Sequence, residues 1–332
     1  MTAMVWHASS QPLRMEVRPL PDPGPGQLRL RVHACAVCRT DLHLADGELP
    51  FARSPVVPGH EIVGRIEALG PDGLAGGSSW RLGQRVGVPW LGHTCGHCRY
   101  CHDGQENLCD APDFTGCTRD GGFATHVVAD ARYVFDLEDV PLDDVHAAPL
   151  LCAGLIGFRA YRFAGPGRRL GLYGFGAAAH LLVQLATAQG WQVYVFTREG
   201  DTAAQAQARS LGAVWAGASV QVPAAPLDAA IIFAPVGALV PLALRAVRKG
   251  GRVVCAGIHM SDIPGFPYRD LWHERQLVSV ANLTRADGEA YLRAVRQVPP
   301  QVHVQVYPLA QANEALADLR AGRVLGAAVL QP

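Results

Sequence analysis

The sequence predicts a two-part α/β protein: a β-barrel-like first half carrying loops, followed by a parallel sheet wrapped by helices on both faces. Three observations predict it. At 332 residues the chain is too long for one small core and suits two domains. Its first ~150 residues show short patterns of period two broken by turns. From about Pro149 onward, strands alternate with helical runs, the signature of a parallel sheet covered on both sides.

In the first half, Leu28, Leu30, Val32, Ala34 and Ala36 put an apolar residue at every second position, as a half-buried strand requires. Further strands are predicted at Glu61–Ala68, Arg85–Pro89 and Phe123–Ala129. Pro19–Gly26, with four prolines and two glycines, can only be a turn or loop. In the second half a strand at Arg169–Tyr173 meets a glycine turn and a helix from about Ala177 to Gln189, stopped by Gly190. Strand Gln192–Phe196 follows, then an Ala-rich helix from about Thr202 to Leu211, stopped by Gly212. Strands fit at Ala229–Phe233, Arg252–Ala256 and Val278–Ala281. The weakly polar stretch Ala229–Leu244 is interrupted by Pro235, Gly237 and Pro241. It is too short to span a bilayer and reads as a strand, a loop and a helix start. The tail, about Val302–Leu330, carries a strand, a helix (Gln311–Arg320) and a final strand. No internal repeat is visible.

Hydrophobic residues make up 49% and charged residues 17%, a globular profile. Lys plus Arg equals Asp plus Glu, 29 against 29, which gives no support to a nucleic-acid or anionic-membrane partner. Met1–Ser10 has no basic segment leading into an apolar run, so a cytoplasmic location is expected. The nine cysteines are then expected as reduced thiols or metal ligands.

Four of them, Cys95, Cys98, Cys101 and Cys109, lie in CGHCRYCHDGQENLC. Thiolates at this spacing, in a loop with Gly96 and Gly104, can wrap one tetrahedral zinc. With sulfur at every vertex no position remains for water or substrate, so this zinc is expected to be structural. His93, His97 and His102 are redundant as ligands and are expected to face solvent.

The run Gly174-Phe175-Gly176-Ala177-Ala178-Ala179 follows a strand and opens a helix, the setting of a dinucleotide-binding turn. Gly174 permits the tight turn and Gly176 lets the backbone approach a pyrophosphate. Ala179, where a third glycine often sits, is small enough for helix-to-strand packing. The N–H groups at the helix start then face phosphate. The next strand ends Phe196-Thr197-Arg198-Glu199, so Thr197 stands where a ribose-binding carboxylate is usual. A hydroxyl beside a guanidinium accepts a 2′-phosphate, which favours NADP(H); Glu199 leaves NAD(H) as the alternative.

Cys38 in CRTDLH, His60 in GHE and Cys152 in PLLCAG each offer one metal ligand, but spacing cannot assemble three such distant residues. Taken alone, Cys152 reads as a small buried hydrophobe. The order of CRTDLH, GHE, the four-cysteine loop, PLLCAG, GFGAAAH and the closing helix and strand resembles the zinc-containing medium-chain alcohol dehydrogenases. The likeness runs along essentially the whole chain and points to the bacterial alcohol dehydrogenase and aldehyde reductase branch.

The resemblance implies a GroES-like barrel for residues 1–148 and 284–332, a Rossmann domain for 149–283, and an active site in the cleft between them. It implies that Cys38, His60 and Cys152 bind a catalytic zinc with one open position, giving two zinc ions per chain. Glu61 matches an acid near that metal, and Asp41 a carboxylate that orients the ligating histidine. Thr40 and His43 match a proton relay running from substrate oxygen through the hydroxyl and the cofactor ribose to imidazole. Arg39 matches a position that meets the pyrophosphate in some members; Arg285, in NLTRADGE, is either a second such contact or a charged residue opening an exposed helix. Trp90 and Leu91 stand at about the place where family members line the substrate pocket, and Phe114 either joins them or packs in the core; such an apolar wall suits primary alcohols and aldehydes. A homodimer or homotetramer is expected. The alternatives are a zinc-free type of quinone or enoyl reductase, a polyol dehydrogenase, or a non-catalytic binding protein on the same scaffold.

Overall fold

The structure, a computed structural model, describes residues 1–71 and 80–332. It divides into two compact units: Met1–Ala153 with Leu283–Pro332, and Gly154–Asn282.

The first unit is built on the long strand Gln27–Val37. Glu61–Leu69, His126–Asp130 and Ala327–Gln331 all pair with it antiparallel. Arg85–Val88 and Phe135–Asp136 extend the sheet on one side, and Val304–Pro308 on the other. Leu28, Leu30, Ala34 and Ala36 are fully buried, as the period of two requires, but from Ala34 onward the burial becomes continuous. There the strand is covered on both faces, and Ala36 comes into register with Glu61.

Three features of this unit depart from the sequence reading. The strand expected from Phe123 begins at His126, because Phe123 instead wedges against the glycine-rich turn and donates its N–H to Pro58 O. The helix Arg39–Ala45 and the ribbon Thr2–Val5 with Arg14–Val17 were not signalled by periodicity. His93 is half-buried rather than solvent-facing, with Nδ1 2.7 Å from Asp130 Oδ2. His97 and His102 are exposed.

The second unit is a six-stranded, wholly parallel sheet in the order Trp215–Ala218, Gln192–Thr197, Arg169–Tyr173, Leu227–Ile232, Val247–Cys255, Gln276–Ser279. Starting from the first strand of the unit, this is the 3-2-1-4-5-6 order of a doubly wound nucleotide fold. Its central strands are buried on both faces: Leu170, Leu172, Ala229, Ala230, Ile231 and Ile232 are fully so. Tyr173 and Phe196 stack at 4.2 Å between ring centres beneath it. The fifth strand starts at Val247 rather than Arg252, and the last lies at Gln276–Ser279, two residues before its expected place. Among the described residues no helix is long and apolar enough to cross a membrane.

Candidate active site and metal clusters

Three distant stretches of the barrel unit converge on one buried cluster. Cys38 follows the strand Gln27–Val37 and caps the helix Arg39–Ala45. Its Sγ accepts the Thr40 N–H at 3.3 Å, and its own N–H donates to Asp41 Oδ2 at 2.9 Å. This is a capping box in which a thiol replaces the usual hydroxyl. The box pins Asp41, whose Oδ1 accepts the Gly59 N–H at 3.2 Å and lies 3.4 Å from Nδ1 of His60.

Gly59 has φ +95°, and a Cβ there would fall 2.4 Å from the Phe123 ring. Only glycine lets the chain turn His60 inward at the start of Glu61–Leu69. His60 is fully buried, with Nε2 3.1 Å from Cys38 Sγ. Cys152 comes directly after the short turn Ala148–Leu151, anchored in the barrel by the fully buried Leu150 and Leu151. The ligand atoms of Cys38, His60, Glu61 and Cys152 all lie within 4.8 Å of one another.

The electrostatics follow from that crowding. The Cys152 thiol donates to Cys38, and this together with His60 holds Cys38 well below the ordinary thiol range. The same bond and burial push Cys152 well above it. Burial and the negative Cys38 push Glu61 well above the carboxylate range. Burial opposes a charged His60, but Cys38 and Asp41 outweigh it and raise His60 well above the usual imidazole value. So many donors in so little low-dielectric space fit a divalent cation, which binds them by displacing their protons. Two sulfurs and an imidazole are a zinc donor set that leaves a fourth position open, and Glu61 is near enough to serve as a carboxylate donor.

The remaining expected residues fall into groups. Trp90 packs edge-on to His60, ring centres 4.9 Å apart, and stacks on Phe114 at 5.0 Å. Phe51, which no sequence signal singled out, extends this aromatic wall at 5.6 Å from Phe114. Leu91 is fully buried, its backbone paired with Phe114. Thr40 is buried beside Cys38, and His43 Nδ1 lies 2.5 Å from Glu48 Oε2, a partner also missed in the sequence. Arg39 is exposed. Arg285 opens the helix Arg285–Gln297, and its N–H and Nε donate to the buried Glu106 at 2.9 and 3.3 Å.

Glu106 belongs to the four-cysteine loop. There the Cys95–Cys109 and Cys98–Cys101 sulfurs are 3.5 and 3.6 Å apart, and Cys95–Cys101 and Cys98–Cys109 are 3.9 Å apart. Zinc with bonds of ~2.3 Å has tetrahedron edges of about 3.8 Å, so the sulfurs already outline one. Backbone N–H groups of Cys95, Cys98 and Ala111 point at these sulfurs at 3.3 to 3.4 Å. N–H groups of Asp110 and Cys101 lower the Cys98 thiol to about 6, whereas burial pushes Cys109 up to about 12. Cys101 Sγ also donates to Thr94 Oγ1 at 3.4 Å, and Thr94 pairs with Tyr133 at 2.5 Å. All nine cysteines are free of disulfides.

In the second unit Gly174 has φ +91°, and a Cβ there would lie 2.9 Å from Ala234. Gly176 caps the helix Ala177–Ala188 with open space above it, flanked by half-buried Phe175, Ala177 and Ala178. Ala179 is fully buried against the sheet. Thr197 is buried as well. Its hydroxyl donates to Arg198 O at 3.0 Å and accepts from Gln205 Nε2 at 2.9 Å, while Arg198 and Glu199 are exposed.

A doubly wound sheet and a barrel holding a thiol–imidazole cluster together define a dehydrogenase architecture. Residues 24–139 match the alcohol dehydrogenase GroES-like domain. The chain is 47% identical over 323 residues to the Mycobacterium tuberculosis protein named "Probable alcohol dehydrogenase AdhA", covering 96% of this chain and 92% of that one. Among solved structures it is similar to acetophenone reductase from Geotrichum candidum in complex with NAD, at 26% identity and TM-score 0.87, covering 100% and 97% of the two chains. The cobalt- and zinc-bound thermostable alcohol dehydrogenase from Pyrobaculum aerophilum superposes with TM-score 0.88 at 26% identity, covering 100% and 99%. The chain belongs to the zinc-containing medium-chain alcohol dehydrogenase family and is an oxidoreductase.

Proposed function

We propose that this alcohol dehydrogenase holds one zinc on Cys38, His60 and Cys152 and a second on Cys95, Cys98, Cys101 and Cys109, and interconverts apolar primary alcohols and aldehydes with NADP(H). The observation that carries the reading is the convergence of two sulfurs, an imidazole and the Glu61 carboxylate in one buried cluster. When bound, the zinc acts as a Lewis acid toward an alcohol or carbonyl oxygen, and the nicotinamide exchanges the hydride.

The chain's own residues do the rest. Asp41 faces Nδ1 of His60 and so presents Nε2 to the ligand cluster. The Thr40 hydroxyl takes the alcohol proton during oxidation and His43 carries it onward; in reduction the same path delivers it. Trp90, Phe114 and Phe51 form an aromatic wall beside His60 that excludes water and favours apolar substrates over polyols. Backbone N–H groups at Gly176–Ala178, at the start of the helix Ala177–Ala188, would hold the cofactor's pyrophosphate.

Arg198 is the cation offered to a 2′-phosphate, and no carboxylate stands at Thr197 to repel it. Since the Thr197 hydroxyl is engaged within the sheet, Arg198 carries this preference alone. The pairing of Arg285 with Glu106 supports a structural role for that arginine in place of a pyrophosphate contact. The test is metal analysis with kinetics on alcohols, aldehydes and both nicotinamides. Two zinc ions per chain and higher kcat/KM with NADP(H) are expected. A single zinc, bound only by the four cysteines, would overturn the active-site assignment.

A further inference from the structure

We infer that Glu48 is a positioning residue for the proton path: it holds His43 as the Nδ1–H tautomer, leaving Nε2 as the nitrogen that takes the proton. The inference rests on the reading of Thr40 and His43 as that path.

The backbone puts Glu48 where this is possible. The helix Arg39–Ala45 ends in a Schellman turn: Gly47 donates its N–H to Leu44 O at 3.0 Å, and Glu48 donates its N–H to His43 O at 2.9 Å. Gly47 has φ +77°, and a Cβ there would sit 2.6 Å from Ser9 Cβ, so the turn is reserved for glycine. Glu48 is therefore bonded to His43 twice, once through the backbone and once through Oε2, 2.5 Å from Nδ1. Its neighbour Asp46 is engaged separately, in an ion pair with Arg320 from the helix Ala312–Arg320. The His43 side chain is 14% exposed and that of Glu48 44%, so the carboxylate stands between a shielded ring and solvent.

The chemistry follows from donor and acceptor inventory. An ionised carboxylate only accepts, so the imidazole nitrogen facing it must carry hydrogen. A neutral ring with hydrogen on Nδ1 has its lone pair on Nε2. During alcohol oxidation Nε2 gains one proton, and the doubly protonated ring keeps its Nδ1–H on Glu48. The ring then loses the Nε2 proton to water and returns to the same tautomer. No electrons move, and reduction runs the path backwards. Without the carboxylate, the neutral ring loses both its preference for this tautomer and the negative charge that makes Nε2 more basic. Fewer rings can then accept and each accepts less readily; an uncharged amide restores at most the first.

The test uses the zinc-loaded full chain with Glu48→Gln and Glu48→Ala. We expect kcat for alcohol oxidation to fall about tenfold in both, since a positioned general base contributes more than that in total. KM for alcohol and cofactor should stay within about twofold, the pattern of an interaction felt after binding. Added formate should restore kcat in Glu48→Ala but not in Glu48→Gln, where the amide fills the space. Melting temperature and zinc content should match wild type. NMR of labelled histidine should show His43 as the Nδ1–H tautomer in the wild-type protein, whatever the variants do. Wild-type kcat in Glu48→Gln, or an Nε2–H signal for His43 in the native chain, would overturn the inference. His43→Gln separates the two readings: if it turns over at the wild-type rate the proton path itself is wrong, whereas a slow His43→Gln beside an unimpaired Glu48→Gln rejects only Glu48.

Discussion

The two cysteine clusters of the barrel unit use the same element and differ in almost every other respect. The four-cysteine loop draws all its donors from Cys95–Cys109, and three of its four sulfur-bearing residues are only half-buried. The Cys38–His60–Cys152 cluster gathers donors from three places across more than a hundred residues, around a histidine with no solvent exposure. The first is four thiols whose sulfurs outline a tetrahedron; the second brings together two thiols and an imidazole, with the Glu61 carboxylate beside them. The lesson is that four thiols close in sequence can be gathered by their own loop, whereas donors from three distant stretches must be brought and held together by the tertiary structure.

The sharpest way to break this comparison is to remove one sulfur from each cluster. Cys38→Ser should lower kcat by about a thousandfold or more, since a Lewis acid supplies several kcal/mol of transition-state stabilisation. The variant should lose one zinc and keep its melting temperature within a few degrees; steady-state kinetics with metal analysis checks both. Cys98→Ser should do the reverse. Loss of the loop zinc should cost about 3 kcal/mol or more of stability, seen as a lowered melting transition. Activity per folded chain should survive. If the two variants proved alike, the distinction between a working and a structural cluster would fail.

Asp41→Asn tests how the open cluster is held. An amide oxygen can still face His60 Nδ1 but lacks the carboxylate's negative charge, and zinc affinity there should fall about 10- to 100-fold while the loop zinc is retained. Competition with a chelator reads the two sites separately. A smaller effect is expected in the second unit. Thr197→Asp combined with Arg198→Ile should move the NADP(H)/NAD(H) ratio of kcat/KM by about tenfold or more toward NAD(H), from the loss of one charge-assisted contact. An unmoved ratio would remove Arg198 from cofactor selection. The smallest effect belongs to Glu106→Gln, which keeps one acceptor for the Arg285 N–H but loses the charge pair. About 1 kcal/mol of stability should go, with kcat unchanged.

Legibility in the sequence followed the range of the interactions. The parallel sheet announced itself because Arg169–Tyr173, Gln192–Thr197 and the intervening helix are each specified by nearby apolar residues and glycine stops. The short helix Arg39–Ala45 escaped because its cap is a cysteine, a residue rarely read as a helix start. His93 was expected to face solvent, since nothing near it in the chain shows that Asp130 folds against it. Thr197 was expected to greet the cofactor; the burial of its hydroxyl against Gln205 depends on how the following helix packs. Glu48 lay in plain view five residues after His43, but only the reversal of the chain at Gly47 brings their side chains together.

What the amino-acid order determined unaided was local: where strands alternate, where glycine must bend the backbone, and that four thiols at short spacing gather in one loop. Such features are decided by neighbours a few bonds away, so composition and spacing suffice to read them. Only the folded barrel decided that Cys152, which the chain presents as one more apolar residue, comes to rest against Cys38 and His60. The same holds for the partners that tune them, because a buried charge acquires its function from groups that reach it through space rather than along the chain.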